Sequence, residues 1–456
     1  MSSLFGLLDM GGSAIQAQNA GIATAANNSA NVNTEGYSRQ RVDLRSNIGS
    51  PVYGGVTFGD PLRVGDELLA GRQRDVGGSS GYFDRLSSVL LDLEGVMTAA
   101  EGDIPSGLGE LFGTLNNVAS SPLDPQLRDA AVVAAKDLAS AFQRQAVEIE
   151  RAQGDADDRI RGSAANASEI MQEIANLNTA IQLQSDPVLL DQREQYALQL
   201  SELVGGKARI DGDGQMRYLL DNGSVLVDGN RAATLETTPD ALLGGFSRIE
   251  VVDGQHRLDI TAQISSGEIG AGIHFRDTIT TEVVDQIDQL AFDVSTSLNA
   301  IHRAGQGLAG GTGQNLFDEP LTVAGAAKNF NLDAALAADS GLLASATLGG
   351  ATGDNGGMLA LLDANNALLA SGGTRTFVEE SIGFISNVGQ EVRSAVVDQK
   401  VQDAQRNGIE ALRDSVSGVS LEEELNRLSQ FQHAAEANMT FVQTIDQLLG
   451  EMIDRL

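Results

Sequence analysis

The sequence lacks several residue types on which many enzymes depend. It contains no cysteine and no tryptophan, and aromatic residues make up only 4% of its 456 residues. Without cysteine the chain cannot form disulfides, thiolate nucleophiles or cysteine-based zinc sites. Its four histidines, His256, His274, His302 and His433, form neither an H-E-x-x-H nor an H-x-x-x-H pair. A histidine-based metal site is therefore not expected.

Basic residues and long apolar runs are scarce as well. The chain has 30 Lys and Arg against 62 Asp and Glu, a formal net charge of −32. This charge argues against nucleic acid or an anionic membrane as the main partner, because phosphate binding needs clustered positive charge. No stretch approaches about 18 continuous apolar residues, so no membrane insertion is predicted. The first residues lack the basic and apolar regions of a cleaved secretory signal, which leaves a cytoplasmic location or export with an intact N-terminus.

A heptad pattern begins near the N-terminus. Its steps alternate four and three residues, which is typical of a coiled-coil seam. The positions, many of them small or polar, are Leu4, Leu8, Gly11, Ile15, Gln18, Ile22, Ala25, Ser29 and Val32. Such a thin seam gains little from burial, at about 25 cal/mol per Å² of apolar area. We therefore predict that this helix is disordered in the free monomer and folds only against a partner.

A matching pattern occupies the C-terminus. Its positions are Leu421, Leu425, Leu428, Ala435, Met439, Val442, Ile445, Leu449, Met452 and Leu456. Ser420 is a suitable N-cap, and Glu422, Glu423 and Glu424 favour the positive end of the helix dipole. Either pattern alone would fit an ordinary amphipathic helix on a globular core. Two long seams at opposite ends favour pairing of the two termini as a coiled coil.

The segment 26–40 should end the first helix and redirect the chain. It has four asparagines between positions 27 and 33, including Asn28 and Asn31, and then Gly36 and Tyr37. Asparagine and glycine are poor residues for a helix interior.

Residues 1–74 contain six acidic residues and six arginines, so the net charge of −32 lies beyond residue 74. A neutral end can pack against copies of itself with less repulsion.

The middle of the chain reads as helices around a β-rich insertion. Residues 40–59 suggest a hairpin. Residues 66–100 suggest a loose helix that is broken at Gly77–Gly81. Two helices are predicted at 124–153 and 155–184, and a shorter helix follows them and ends at Gly205. Between residues 207 and 274, short β-rich runs alternate with Asp-Gly and Asn-Gly turns, which predicts antiparallel hairpins. Helical spacing returns at 279–301 and 377–412, on either side of a Gly/Ala-rich, loop-dominated segment at 305–375.

The predicted fold class is therefore mainly α, with a small inserted antiparallel β domain. Its long terminal helices pair as a coiled coil, and its body is a helical bundle. The predicted domains are 1–35 plus 420–456 (terminal coiled coil), 36–205 plus 276–419 (helical body) and 206–275 (β domain).

Motifs that would indicate catalysis, cofactor binding or metal binding are weak in this sequence. Gly77–Gly81 fits the G-x-S-x-G pattern around Ser79, but no buried strand precedes it. Gly305–Gly310 fits G-x-G-x-x-G but follows a predicted helix, so a dinucleotide site is not expected. Asp211–Met216 resembles the start of a calcium loop, yet its sixth position is Met rather than Gly, which favours a hairpin turn. We therefore predict no catalytic, cofactor or metal site.

The terminal motifs resemble a known family. The run Ala26–Tyr37 (ANNSANVNTEGY) resembles the N-terminal signature of the bacterial flagellar axial proteins, namely the rod, hook and hook-associated proteins. Its extension Tyr37-Ser38-Arg39-Gln40 is most similar to the family of hook-associated protein 1, the junction protein FlgK. Further similar segments are 189–194, 203–205, 226–229, 266–270, 276–278, 353–355 and 417–424.

This resemblance implies a secreted structural protein of the flagellum, located at the hook–filament junction and exported unfolded through the flagellar type III apparatus. It implies self-assembly into a ring or helical turn. The implied partners are the hook protein, the second junction protein, the filament cap and an export chaperone on the C-terminal helix. No cofactor is implied.

We interpret the chain as a non-catalytic protein that folds as its terminal helices polymerise. The predicted assembly interface contains Leu4, Leu8, Ile15, Ile22, Asn28, Asn31, Gly36, Tyr37, Leu421, Leu425, Leu428, Val442, Leu449 and Leu456. Alternatives are another axial protein (hook or distal rod), a non-flagellar coiled-coil scaffold, and a secreted hydrolase built on Ser79.

Overall fold

The computed structural model describes residues 2–46, 54–98, 102–351 and 353–454. Leu456, the last residue of the predicted interface, lies outside the described residues, as does the tip of the predicted hairpin at Val52 and Tyr53. No helix within the described ranges is long and apolar enough to span a membrane.

Helices dominate the described part of the chain, as the sequence predicted. They are α1 (Ser2–Ala30), α2 (Glu67–Met97), α3 (Ile104–Ser120), α4 (Pro125–Leu183), α5 (Pro187–Val204), α6 (Gly267–His274), α7 (Thr280–Arg303), α8 (Ala334–Ala338), α9 (Gly356–Asp363), α10 (Phe377–Ser417) and α11 (Leu421–Asp454). A π-helical turn, Phe275–Ile279, joins α6 to α7.

The strands form small antiparallel sheets. They are β1 (Gln40–Ser46), β2 (Val56–Arg63), β3 (Lys207–Ile210), β4 (Met216–Leu219), β5 (Val225–Asp228), β6 (Arg231–Ala232), β7 (Thr234–Pro239), β8 (Ser247–Asp253), β9 (His256–Asp259), β10 (Gly305–Gln306) and β11 (Ala346–Thr347). Among the described residues the sheets are β1-β2, β3-β4-β5-β6, β7-β8-β9 and β10-β11. The predicted mainly α chain with an inserted antiparallel β region is therefore confirmed.

Helix α4 corrects the sequence interpretation. The two helices predicted on either side of Gly154 are one helix of 59 residues. Asp124 caps it, because its side chain accepts the Gln126 N–H at 2.9 Å, and Pro125 occupies its first turn. Glycine costs only about 1 kcal/mol in a helix interior. Burial of Ile149 and Ile160 on either side of Gly154 outweighs that cost.

The break predicted at Gly77–Gly81 is also wrong. Helix α2 runs without interruption from Glu67 to Met97. Its glycines allow close packing against α5: a Cβ on Gly78 would lie 3.2 Å from the Gly205 Cα, and one on Gly81 would overlap the Glu202 carbonyl. These glycines therefore serve helix packing rather than a turn.

Two apolar cores lie along α4. The first joins the buried faces of α2, α3, α4, α7, α9 and α10, with Leu90, Leu111, Phe142, Leu290 and Phe384 among its residues. The second packs the later half of α4 with α5 and α6 against the small sheets, around Met171, Leu200, Tyr218, Val227 and Ile249. The helical body and the β region therefore share one long helix as a spine.

A buried ion pair ties the π-helical turn to this spine. The Arg276 side chain is fully buried, and its Nη1 donates to Asp157 Oδ1 at 2.6 Å and to the Ser247 carbonyl at 2.8 Å. Asp277 accepts from its Nε at 2.6 Å. Because a buried charge needs partners on every side, this pair fixes α4, β8 and the π-helical turn relative to one another.

The segment 305–375 is dominated by loops, as predicted, with short elements between them. Arg128 of α4 is fully buried and donates to the carbonyls of Pro122 at 2.7 Å and Leu343 at 2.8 Å. His302 of α7 accepts the Ala344 N–H through Nε2 at 3.0 Å. These two side chains hold the loops on the helices.

Candidate assembly site at the joint of the terminal helices

Helices α1 and α11 pack against each other as an antiparallel pair. The contact sets small residues of α1 against larger ones of α11: a Cβ on Gly11 would lie 2.5 Å from Val442, and one on Gly21 would lie 2.7 Å from the Phe431 ring. Gly11 faces Val442, Gly21 faces Phe431 and Asn28 faces Glu424, so a single antiparallel register describes the whole contact. Small seam residues let the two backbones approach closely.

The buried stripe of α1 coincides with the predicted seam at Gly11 and Ala25 and is offset from it by one residue at Ala17, Gly21 and Asn28. Gly11, Ala17, Gly21, Ala25 and Asn28 are buried. The predicted seam residues Leu4, Leu8, Ile15 and Ile22 flank that stripe and are half-buried. The pattern therefore identified the helix, while the larger apolar side chains it highlighted lie beside the contact with α11.

The predicted residues of α11 divide into two groups. Leu428 and Val442 are half-buried and Leu449 is buried on the side that faces α1. Leu421 and Leu425 are exposed. Ser420 immediately precedes the helix, and its Oγ accepts the Glu423 N–H at 3.5 Å.

Asn28 is the centre of the joint, which we define as residues 31–40 and 418–420 with the helix ends that they connect. The fully buried Asn28 Nδ2 donates to the Gln40 carbonyl at 2.8 Å and to Glu424 Oε2 at 3.0 Å. Its Oδ1 accepts the Gln40 N–H and the Tyr37 hydroxyl, both at 2.9 Å. One amide therefore joins α1, the turn after it, β1 and α11, with every hydrogen-bonding position used.

Tyr37 and Glu424 complete this polar cluster. Burial, with the nearby Asp191 and Glu424 carboxylates, raises the pKa of Tyr37 to about 12. The phenol therefore stays protonated and donates to Asn28. Glu424 is buried and also accepts from Arg427 at 3.2 Å. The sequence suggested only a helix-dipole role for Glu424.

The turn after α1 has the redirecting geometry that the sequence predicted. Asn31 bonds back to the Asn27 carbonyl at 2.9 Å, and Gly36 adopts φ +77°. A side chain at Gly36 would be strained and would overlap Gln195, whose Nε2 donates to the Glu35 carbonyl at 2.7 Å. Glycine is therefore required where the turn meets α5.

Contacts from the body hold the other side of this turn. Asp191 of α5 accepts the Ser38 N–H at 2.8 Å and Arg63 Nε at 2.6 Å. Arg413 of α10 donates to the Gly36 carbonyl at 2.6 Å. Sequence reasoning did not assign these residues to the joint, since Asp191 and Arg413 are 153 and 377 positions from their partners.

The structure offers no support for the hydrolase alternative. Ser79 lies inside α2, where its Oγ bonds to the Asp75 carbonyl at 3.3 Å, so it is not on a strand-to-helix elbow. Asp211 caps the β3–β4 turn by accepting the N–H groups of Asp213 and Gln215. Within the described ranges, no group of three His, Asp or Glu side chains is arranged to hold a metal.

Comparisons with known proteins agree with this architecture. The chain is 26% identical to flagellar hook-associated protein 1 of Bacillus subtilis, over 100% of this chain and 99% of that protein. It is 22% identical to the Escherichia coli protein of the same name, over 97% and 98% of the two chains. The hook junction protein FlgK of Burkholderia pseudomallei has a similar fold, with a TM-score of 0.68 at 15% identity, covering 77% of this chain and 100% of that one.

The family model described as the flagellar hook-associated protein FlgK helical domain matches residues 90–317, half of the chain. That range begins in α2 and ends after α7, so it covers the spine α4 and the β region. The chain belongs to the FlgK family of flagellar hook-associated proteins.

Proposed function

We propose that this protein is a structural component of the bacterial flagellum that joins the hook to the filament and has no catalytic activity of its own. Membership of the FlgK family supports this role and a secreted location at the hook–filament junction. The relatives carry the name hook-associated protein 1, and the solved neighbour is described as a hook junction protein.

The observation that carries the mechanism is an apolar surface on the α1–α11 pair that this chain itself does not cover. Leu425 is 51% exposed and Phe5 is 53% exposed. Other exposed apolar side chains of the pair are Leu421, Met439, Leu448, Met452 and Ile453. Exposed apolar side chains concentrated on one helix pair are typical of interaction sites.

The proposed mechanism is coupled folding and polymerisation. In the assembled junction, copies of the helix pair bury these side chains against one another, and the cost of ordering the helices is met by that burial. Contacts between different surfaces of successive copies produce a ring or a helical turn. The predicted interface residues and the division into 1–35 plus 420–456, 36–205 plus 276–419, and 206–275 are part of this proposal.

The proposed partners follow from the proposed location at the hook–filament junction. They are the hook protein on one side, the second junction protein and the filament cap on the other, and an export chaperone on α11. The net charge of −32 argues against nucleic acid as a partner.

The role is tested by deleting the gene in its host. We expect cells that keep their hooks, lose attached filaments and release filament protein into the medium, as seen by electron microscopy and by immunoblotting of the culture supernatant. Loss of the hook itself would indicate a hook or rod protein instead and would refute the junction role.

The interface is tested with a matched pair of leucines. Leu425→Glu places a charge on the exposed face of the helix pair, and we expect loss of filament attachment with an unchanged far-UV CD spectrum. Leu321→Glu is the control, because Leu321 is 99% exposed but lies on a body loop. Normal attachment in the Leu425→Glu strain would contradict the proposed interface.

A further inference from the structure

Two separate sets of hydrogen bonds meet at the turn formed by residues 35–39. The first set centres on Asn28 and connects the terminal helices to Tyr37 and Gln40. The second set, which we call the body clamp, comes from Asp191 and Gln195 of α5, Arg63 of β2, and Arg413 and Ser417 of α10. None of the groups in the body clamp belongs to α1 or α11.

Asp191 is the central residue of the body clamp. Its carboxylate is buried, and Arg63 holds it in place with an ion pair of 2.6 Å. The N–H group that it accepts belongs to Ser38, which is also buried. A charge-assisted hydrogen bond shielded from water is among the stronger polar contacts in a protein.

The body clamp also brings the end of α1 close to the start of α11. The Arg39 N–H donates to the Ser417 carbonyl at 2.8 Å, which fixes the end of the turn after α1 beside the end of α10. From this point α1 and α11 extend side by side. Their contact surface sets Gly11 against Val442 and Gly21 against Phe431, so the close packing of the two helices depends on their register.

We propose that Asp191 is a positioning residue that docks residues 35–39 on the body before α1 and α11 pair, and thereby sets the register of that pair. In the free chain the turn is ordered while α1 and α11 still exchange with solvent. The two helices then fold from a fixed common end, which raises their effective concentration and favours one register over shifted ones. The inference rests on the coupled folding proposed above.

The first test is amide hydrogen exchange on the full-length monomer. We expect the Ser38 amide to be protected in the wild type and in Asn28→Ala, and to exchange about tenfold faster or more in Asp191→Ala. Asp191→Asn keeps an acceptor for Ser38 and should restore part of the protection. Glu202→Gln is the control, because Glu202 is a carboxylate of the same helix α5 that is not one of the body-clamp residues.

The protection of the Ser38 amide in these variants distinguishes docking of the turn by Asp191 from ordering of the turn by the helix pair. Loss of Ser38 protection in Asn28→Ala would show that the helix pair orders the turn, and would overturn the proposal. Protection that survives in Asp191→Ala would overturn it as well. Exchange is measured on the monomer, so a negative result leaves the filament-attachment tests of the junction role unaffected.

The second test measures the register of the α1–α11 pair by disulfide cross-linking of engineered cysteines. Because the chain has no native cysteine, any cross-link joins the two engineered positions. Ala17→Cys with Ala435→Cys continues the register in which Asn28 faces Glu424, and both positions are buried. Ala17→Cys with Val442→Cys is the pair shifted by one heptad. We expect the in-register pair to cross-link faster under mild oxidation, and Asp191→Ala to reduce that preference. No preference in the wild-type background, or an equal preference in both backgrounds, would overturn the register role.

Discussion

Single buried polar side chains hold distant segments of this chain together. Asn299 of α7 accepts the N–H groups of Leu316 and Phe317 and donates to the Phe317 carbonyl at 2.9 Å. Asn28 does the same at the joint with Gln40. In each case one side-chain amide pairs with both the N–H and the carbonyl of a single residue, Phe317 or Gln40. Such contacts are costly to remove because they leave buried groups unpaired.

His302 provides a residue-scale prediction about pH. Its Nδ1 lies 2.8 Å from the Gln314 carbonyl, and its Nε2 accepts the Ala344 N–H, so the ring is held in the neutral form. Burial lowers the pKa of His302, although the Gln314 carbonyl and Asp333 oppose that shift. The stabilisation is therefore complete above the unfolded pKa of about 6.5 and is lost as the pH falls, by at most about 1.4 kcal/mol per pH unit.

Replacing the His302 imidazole tests its contribution to the pH dependence of stability. His302→Gln keeps a donor and an acceptor but does not titrate, so we expect a shallower decline in the free energy of unfolding between about pH 7 and 5. Urea titrations across this range measure the decline. Gln172→Asn on the exposed face of α4 is the control, since it changes no titratable group and should preserve the wild-type slope. Equal slopes in wild type and His302→Gln would contradict the assignment.

The sequence indicated some of these residues and could not indicate others. Asn28, Gly36 and Tyr37 stand within one short motif, where the helix-ending pattern made them visible. Glu424 looked like a helix-dipole charge, because its burial depends on a partner 396 positions away. The role of Asp191 likewise depends on a long-range contact, and hydropathy and spacing carry no information about such contacts.

Among the elements, glycines caused the largest differences between expectation and structure. The sequence pattern treated Gly77–Gly81 as a helix break and placed a helix boundary beside Gly154, yet α2 and α4 pass through both places. Glycine is a weak helix former whether it marks a turn or a close contact. Only the partner helix distinguishes the two cases. The Asp-Gly and Asn-Gly hairpin turns were predicted well, because there the glycine conformation is a local requirement.

Gly154 and Gly81 should respond in opposite directions to the same substitution. A Cβ on Gly154 would meet nothing within 4 Å, so Gly154→Ala should raise the free energy of unfolding by about 0.5–1 kcal/mol. A Cβ on Gly81 would overlap the Glu202 backbone, so Gly81→Ala should lower it by about 1–3 kcal/mol.

Urea unfolding followed by far-UV CD measures both changes, and each variant serves as the control for the other. Destabilisation by Gly154→Ala would mean that α4 is interrupted there, as the sequence pattern suggested. An unchanged stability in Gly81→Ala would mean that α2 and α5 are not in close contact.

For the whole molecule, charge and apolar surface are distributed unequally. The formal charge of −32 lies beyond residue 74, whereas the helix that packs against α11 belongs to the neutral part. In the proposed ring, copies bring their acidic bodies near one another while their terminal helices attract by burial. Assembly therefore depends on the balance between long-range repulsion and short-range apolar contact.

This balance predicts that salt promotes assembly. The Debye length falls from about 30 Å at 0.01 M to about 8 Å at 0.15 M ionic strength, which screens repulsion between bodies and leaves apolar contacts intact. Binding of the purified chain to isolated hooks, measured by sedimentation, should increase over this range. Glu169→Gln with Glu173→Gln removes two exposed charges of α4 and should shift the curve to lower salt, whereas Gln172→Asn on the same helix should not. Binding that weakens as salt rises would show instead that attraction between opposite charges drives assembly.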